Sequence, residues 1–219
     1  MKTINLAVLL ILISVLSFGC GKKEEPTKNE TVKKDTSSQK TKKPDKIPAS
    51  NEYMTKSGKV FLINVNKSSE SLADIIVTGK GFVFKNDTVK FKDTNPFEKA
   101  FVADIDGNGF EDLFIITRSA GSGSQGEIIG VASNNDKSYS IISVEEIKKA
   151  DMKSGKMFEG YMGHDSIYTE KEMLVREFPV YKSSDTNNNP TGGKRKVFYK
   201  LSPGETSYQL KVSGKEDVK

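Results

Sequence analysis

The sequence predicts an all-β domain, an antiparallel β-sandwich or flattened barrel with one or two short helices. Eleven short segments of residues 51–219 are rich in β-branched and aromatic residues and are separated by Gly, Asn, Asp, Ser or Pro. Alternation is visible in several, as in Val197, Tyr199 and Leu201 against Phe198 and Lys200. Many strand candidates beside one helical segment are typical of a sandwich or barrel.

The strand candidates follow one another along the whole of residues 51–219. In chain order they are KVFLINV, LADIIVTG, GFVFK, TVKFK, KAFVADID, DLFIITR, EIIGVAS, YSIISV, MLVREFPVYK, KVFYKL and YQLKV. The helical segment is SVEEIKKADMKS, in which Ser143 is a candidate N-cap and Glu146 stands at the capping-box spacing. This part of the chain is long enough for one domain with a substantial core.

Residues 1–19 have the features of a signal peptide that exports the protein. Lys2 precedes LAVLLILISVLSF, an apolar run too short to span a bilayer. Cys20 follows and is the only cysteine, so an intramolecular disulfide is excluded. The arrangement resembles the lipobox of bacterial lipoproteins, with Leu16 one place further from the cysteine than usual and Phe18 where a small residue is common. An ordinary signal peptide with a chance cysteine is the alternative.

The lipobox resemblance implies that Cys20 carries the lipid after cleavage. Because each buried methylene contributes about 0.8 kcal/mol, the two or three acyl chains of such lipoproteins hold the protein firmly to a membrane. Gly21 stands where an aspartate would retain a lipoprotein at the inner membrane. We therefore expect an outer-membrane lipoprotein that faces the periplasm or the cell surface.

Residues 20–50 form the lipidated cysteine and a disordered linker in this interpretation. The stretch from residue 21 to 50 contains no aromatic residue and scarcely any aliphatic one, so it cannot bury enough surface to fold. It carries most of the net charge of +5, whereas residues 51–219 contain 24 basic and 24 acidic residues. Nucleic-acid binders concentrate basic charge on a folded face, so the sequence argues against a nucleic-acid partner.

The stretch SAGSGSQG lies between DLFIIT and EIIGVAS, the two runs most like buried strands. These runs predict neighbouring antiparallel strands, and their connection is longer than a tight hairpin requires. Gly121, Gly123 and Gly126 give it the freedom to adopt positive φ. A protruding loop of small residues can enter a narrow cleft and carry function, or it can simply be a flexible hairpin tip.

Three separate motifs carry a resemblance to a known family. They are FVADIDGNGFEDLFIITRSAGSGSQG, then GYMGHD, then the segment that runs from LVREFPVYK to SYQL. Their order and spacing, over residues 100–212, closely resemble those of the periplasmic inhibitors of invertebrate-type lysozymes. The resemblance implies an antiparallel β-sandwich that inhibits lysozyme by inserting a loop into its active-site cleft. It also implies a possible homodimer and no cofactor.

The inhibitory motif of that family, serine, glycine, any residue, tyrosine, corresponds here to Ser122, Gly123, Ser124 and Gln125. Gln125 replaces the tyrosine, which removes an aromatic ring and a phenol donor. Lysozymes work with a pair of carboxylates in a sugar-shaped cleft, and a serine hydroxyl can hydrogen-bond one of them. The resemblance implies an inhibitory loop of Ser119, Gly121, Ser122, Gly123, Ser124 and Gln125, with flanking contacts from Arg118, Tyr161, Met162, His164 and Asp165.

The segment DIDGNGFED imitates the first half of a calcium-binding loop. Asp104, Asp106, Asn108 and Asp112 place oxygens at positions one, three, five and nine, but position twelve is Ile115, where a bidentate acid is needed. An Asp/Asn/Gly turn between strands is the alternative interpretation. A calcium- or carbohydrate-binding surface module without inhibitory activity is accordingly the alternative function.

The sequence argues against an enzyme. No serine lies in a G-x-S-x-G elbow, and a histidine next to its aspartate in the chain, as His164 is to Asp165, is poorly placed to be oriented by it. No phosphate-binding or cysteine-based motif occurs. His164 is the only histidine and cannot build a metal site alone, so we expect it to stabilise a turn or touch a partner.

Overall fold

The structure is a computed structural model that describes residues 51–84 and 87–218. The predicted signal peptide, Cys20 and the linker lie outside the described residues. The described part of the chain is all-β and contains twelve strands and no helix. It consequently offers no helical segment of the length and apolarity needed to cross a membrane.

The strands form two sheets. Their bounds are β1 Glu52–Met54, β2 Val60–Lys67, β3 Ala73–Lys80, β4 Thr88–Thr94, β5 Phe97–Ala103, β6 Asp112–Arg118, β7 Gly126–Asn134, β8 Ser138–Val144, β9 Ser166–Glu170, β10 Met173–Pro179, β11 Lys194–Pro203 and β12 Tyr208–Val218. The small sheet has the order β1-β2-β3-β4, and the large sheet has the order β5-β6-β7-β8-β12-β11-β10-β9.

Neighbouring strands are antiparallel in both sheets except where β8 meets β12. Those two strands run parallel and pair only through Ser143 with Gln209 and Val144 with Leu210. The large sheet curls into a nearly closed barrel. Side chains from strands that are far apart in its order consequently share one core. Ile116 of β6, Ile167 of β9 and Leu174 of β10 all belong to this barrel core.

Strand β6 is buried on both faces, which explains its continuous apolar sequence. Phe114 and Ile116 point into the barrel core. Leu113 and Ile115 point the other way, into a second core that they share with Phe61, Ile63, Ile75 and Val77 of the small sheet. The small sheet therefore covers the outer face of the barrel at β6.

Ten of the eleven strand candidates are strands, and β1 and β9 are two further strands that the sequence did not predict. The candidate GFVFK was wrong over Gly81–Phe84, while its last residue lies outside the described ones. Gly81 has a φ of 83° and turns the chain at the end of β3. Phe82 is then buried against Phe61, and the Phe84 amide donates to the carbonyl oxygen of Lys137 at 2.7 Å.

The predicted helix SVEEIKKADMKS was also wrong. Ser143 and Val144, which would begin it, are the last residues of β8 and pair with β12. The following residues form irregular turns, in which the Lys148 amide donates to the Asp151 carboxylate at 2.8 Å. A capping box describes only local contacts, and here pairing between strands takes the residues that would have formed the first turn.

Candidate functional site

The loop of residues 119–125, called here the GS loop, connects β6 to β7 and is closed by its own hydrogen bonds. β6 and β7 are antiparallel neighbours, as the sequence predicts. The Ser119 amide donates to the carbonyl oxygen of Gln125 at 2.9 Å, and the Gln125 amide donates to the Ser119 hydroxyl at 2.8 Å. At the tip, the Ser124 amide donates to the Gly121 carbonyl oxygen at 2.9 Å. The loop is thus an ordered turn rather than a slack connection.

Close approach of other segments, and not positive φ, requires glycine at position 123 of this loop and at position 126, where β7 begins. Gly121, Gly123 and Gly126 do not adopt positive φ, whereas Ser124 does, at 44°. A Cβ atom on Gly123 would lie 3.0 Å from the carbonyl oxygen of Met162. A Cβ atom on Gly126 would lie 2.9 Å from the Ile167 side chain. None of the three positions uses the positive φ that glycine allows; neighbouring segments impose glycine at 123 and 126, whereas a Cβ atom on Gly121 would meet nothing within 4 Å.

The GS loop leans on residues 161–165, called here the bracing segment. The His164 amide donates to the carbonyl oxygen of Gly123 at 2.8 Å. Gly163 has a φ of 94°, and a Cβ atom there would lie 1.9 Å from the same oxygen. The structure therefore brings together two motifs, SAGSGSQG and GYMGHD, that are nearly forty residues apart in the sequence.

Asp165 joins the bracing segment to the barrel through a fully buried carboxylate. One oxygen accepts from Arg118 Nη1 at 3.1 Å and from the Gly126 amide at 2.9 Å. The other accepts from the Tyr161 hydroxyl at 3.0 Å and from Arg176 Nη1. Burial raises the pKa of Tyr161 well above its usual range, so the phenol remains a donor. A buried charge needs such partners, and this one has four.

Arg176 is a supporting residue that the sequence analysis missed. It is 4% exposed and donates to the Gly126 carbonyl oxygen at 2.8 Å and to the Tyr199 hydroxyl at 3.1 Å. Its neighbours on the same face of β10, Leu174 and Phe178, lie in the barrel core. A charged residue at an inward-facing position of an alternating strand was the available signal, because such a charge requires a buried partner.

Arg118 ties the base of the GS loop to two other segments. Its Nε donates to Glu98 of β5 at 2.6 Å, and its Nη1 donates to the Ser124 carbonyl oxygen at 2.7 Å. Its Nη2 donates to the carbonyl oxygen of Asp165 at 2.9 Å. The guanidinium thus supports the loop from below. Nothing in the sequence distinguished Glu98 from other surface acids.

Asn187 supports the loop from a third side and was also missed. It lies in residues 182–192, called here the Asn187 loop, which form most of the connection from β10 to β11. Its Nδ2 donates to the Ser122 carbonyl oxygen at 3.3 Å, and its Oδ1 lies 3.3 Å from His164 Nε2. The Tyr181 hydroxyl donates to the Asn187 carbonyl oxygen at 2.9 Å. Three asparagines in a row gave no indication of which one makes these contacts.

The predicted site residues divide into an exposed tip and a buried support. Ser122 and Gln125 are exposed, and within the described residues the Ser122 hydroxyl makes no hydrogen bond. Met162, 46% exposed, and the exposed His164 flank them. Tyr161 and Asp165 are only 5% and 4% exposed, so they hold the loop from within rather than presenting a surface. A partner at the tip would meet a free hydroxyl on a braced turn.

The candidate calcium residues form the turn between β5 and β6. The Asp104 carboxylate accepts the amides of Gly107 and Gly109, each at 2.8 Å. Asp106 accepts the amide of Asn108 at 3.1 Å, so the Asx-type turn of the alternative interpretation is present. Across the described ranges, no three His, Cys, Asp or Glu side chains are grouped as a ready metal site. Calcium, however, also takes amide and carbonyl oxygens.

Comparison of the chain with protein-family models, with curated proteins and with solved structures finds no significant match.

Proposed function

We propose that the protein is a membrane-anchored lysozyme inhibitor that blocks the active-site cleft of its target with the GS loop. Its target is a lysozyme of the invertebrate type, and the protein itself performs no catalysis. Residues 51–219 form the inhibitory domain, and the lipid on Cys20 and the linker hold that domain at the outer membrane. There the inhibitor would protect the cell wall.

The observation that carries this proposal is the exposed Ser122 hydroxyl on a loop braced from three sides. Its hydroxyl has no partner among the described residues, so it can bond a lysozyme carboxylate without breaking a hydrogen bond within the protein. A hydrogen bond to a charged group contributes about 1.5–3 kcal/mol, which is roughly ten- to a hundredfold in affinity.

The bracing supports the same proposal by lowering the entropy that binding costs. Arg118, His164 and Asn187 each hold a carbonyl oxygen of the loop, at 2.7, 2.8 and 3.3 Å. A loop already fixed in one conformation loses little freedom when it enters a cleft. Exposed Met162 and His164 add contact surface beside the tip.

The test is inhibition of cell-wall lysis by lysozymes of several classes. The wild-type protein should inhibit the invertebrate-type enzyme. Ser122→Asp should lose inhibition by more than about tenfold, because it sets a carboxylate against those of the enzyme. Ser122→Asn is the matched control, because asparagine has the size of aspartate but no charge. It should lose much less inhibition than Ser122→Asp.

Failure of the wild-type protein to inhibit any lysozyme class would end this proposal. If Ser122→Asp and Ser122→Asn lose inhibition equally, repulsion between the introduced carboxylate and those of lysozyme is not the cause of the loss. The anchor is tested separately by labelling cells with palmitate. Cys20→Ala should abolish the label and free the protein from the membrane fraction.

A further inference from the structure

Asp112 is a buried acid with one carboxyl oxygen that lacks a hydrogen-bond partner among the described residues. It is the first residue of β6 and 0% exposed, and one oxygen accepts the Ser133 amide at 2.9 Å. Within the described residues its Oδ2 has no hydrogen-bond partner. A buried carboxylate in this condition is costly unless a cation or a donor reaches it. An orphaned oxygen of this kind therefore points to a ligand.

Three more side chains with oxygen ligands lie in the turn that Asp112 closes. Asp112 pairs with Ala103 across the β5–β6 ladder, so the turn that begins at Asp104 ends at this pair. We call residues 104–112 the aspartate loop. Asp104 and Asp106 stand at its first and third positions, Asn108 stands at its fifth and Asp112 at its ninth. This is the spacing with which a calcium loop begins.

The backbone of the aspartate loop is wrapped around its first acid. Asp104 accepts the amides of Gly107, Asn108 and Gly109 at 2.8, 3.2 and 2.8 Å. A carboxylate has about four acceptor sites, so these three bonds fix its orientation and leave about one lone pair, on Oδ2, for a cation. Gly107 and Gly109 have φ values of 75° and 87°, and the turn needs glycine at both.

Acidic residues are concentrated in this loop, at positions 104, 106 and 112. Among the described residues none of these three acids forms a salt bridge. The described residues therefore supply no cationic partner for any of the three acids, and a cation would need the Asn108 oxygen and backbone oxygens beside them.

We propose that the aspartate loop binds one calcium ion, with side-chain ligands from Asp104, Asp106, Asn108 and Asp112. The missing acid at position twelve does not argue against this site, because Asp112 enters from the start of β6 and supplies the last carboxylate. Calcium accepts six to eight oxygens, so carbonyl oxygens and water complete the shell. The ion would tie the β5–β6 turn to β7 through the bond between Asp112 and Ser133.

This site is separate from the GS loop. Asp112 begins β6 and Arg118 ends it, and a strand of seven residues is roughly 20 Å long. Calcium binding and lysozyme inhibition can therefore succeed or fail independently. Neither result depends on the other.

The experiment titrates the purified full chain, first treated with EGTA, with Ca²⁺ up to about 10 mM, since loops of extracellular proteins bind at roughly 0.1–1 mM. Isothermal titration calorimetry should show one saturable site. The unfolding midpoint should rise with Ca²⁺ and fall back with EGTA, because an ion that binds only the folded state stabilises it. Mg²⁺ should bind more weakly, since it demands octahedral geometry.

The variants identify the loop as the site. Asp106→Asn should weaken calcium binding by at least about tenfold. Asp112→Asn should abolish the calcium-dependent rise of the midpoint; if it does not fold, Asp106→Asn alone decides. Asp185→Asn is the matched control, because Asp185 also accepts backbone amides in a loop, from Lys182 and Thr191, and should leave binding unchanged. No saturable binding by the wild type, or full binding by Asp106→Asn, would overturn the proposal.

Discussion

Gly163 and Gly123 are packed so closely that a Cβ atom on Gly163 would lie 1.9 Å from the carbonyl oxygen of Gly123. The same oxygen accepts the amide of His164 at 2.8 Å. Backbone meets backbone here, so a side chain on Gly163 could not be accommodated by a change of rotamer. The position of the GS loop therefore depends on the absence of a side chain at Gly163 of the bracing segment.

Gly163→Ala should displace the GS loop while leaving the barrel folded. We expect inhibition of lysozyme to fall by more than about tenfold, because a shift of 1 Å is enough to misplace Ser122. Gly58→Ala is the control, since Gly58 has a φ of 81°, close to the 94° of Gly163, but a Cβ atom there meets nothing within 4 Å. Circular dichroism checks the fold. Equal losses in the two variants would mean that backbone strain, not contact with the loop, is responsible.

Arg176→Met should destabilise the domain by roughly 3–5 kcal/mol, because it leaves the Asp165 carboxylate buried without its closest cation. Urea unfolding measures the change. Lys194→Met is the control, since Lys194 pairs with Glu177 at 2.9 Å but has a side chain that is 62% exposed. Its loss should cost less than about 1 kcal/mol. Similar values for both variants would show that the buried network adds no stability beyond an exposed pair.

Asn187→Ala should weaken inhibition by roughly two- to tenfold, the effect of one modest hydrogen bond. It removes the donor to the Ser122 carbonyl oxygen and the contact with His164. Asn188→Ala tests the adjacent position, whose side chain makes no hydrogen bond within the described residues. The dissociation constant for lysozyme is the readout. If Asn188→Ala loses as much affinity for lysozyme as Asn187→Ala, the effect comes from any change in the Asn187 loop and not from the hydrogen bonds of Asn187.

Gln125→Tyr should tighten inhibition of an invertebrate-type lysozyme by about tenfold, since aromatic residues are among the strongest contributors to interfaces. Gln125 is exposed, so the larger side chain does not disturb the core. Gln125→Phe lacks the phenol and separates the contribution of the ring from that of its hydroxyl. If neither variant differs from the wild type, the correspondence of Gln125 with the family tyrosine is mistaken.

Asp185 should make the Asn187 loop sensitive to acid. Hydrogen bonds from the amides of Lys182 and Thr191 lower the pKa of this exposed carboxylate below its ordinary value of 3.8. A lowered pKa means that the stabilisation is complete above 3.8 and is lost as the pH falls through the lower, folded value. The amide resonance of Thr191 should therefore stay constant from neutral pH to about 5 and shift only below about pH 4. In Asp185→Asn this transition should disappear.

The strands could be predicted from the sequence where alternation or continuous apolar runs reflect burial, as in β6 and β11. The helix at Ser143 could not be excluded, because its capping spacing is local whereas the pairing of Ser143 with Gln209 joins residues 66 positions apart. The strand predicted at Gly81–Phe84 was wrong for a similar reason. Phe82 is an aromatic residue of the kind that is enriched in strands, but here it packs into the second core beside Tyr139.

The candidate site could be predicted only in part. The composition of the GS loop marked it, and the motif GYMGHD marked the bracing segment. Their contact, and the reason for the glycines, depend on tertiary structure. The sequence analysis missed Arg176, although its charge at an inward-facing position was an available signal. Its pairing with Asp165 could not be predicted, since no pattern in the sequence joins β10 to the segment before β9.

Strand β6 lies between two cores, and this has a consequence for the dynamics of the loop that follows it. Its amide protons should be among the slowest in the molecule to exchange with deuterium, because they are exposed only when the whole domain unfolds. Opening of the short outer strand β1 then leaves the root of the GS loop fixed. The loop could therefore be exchanged for another sequence while its origin on the molecule remains constant, which makes this hairpin a suitable place for grafting new binding loops.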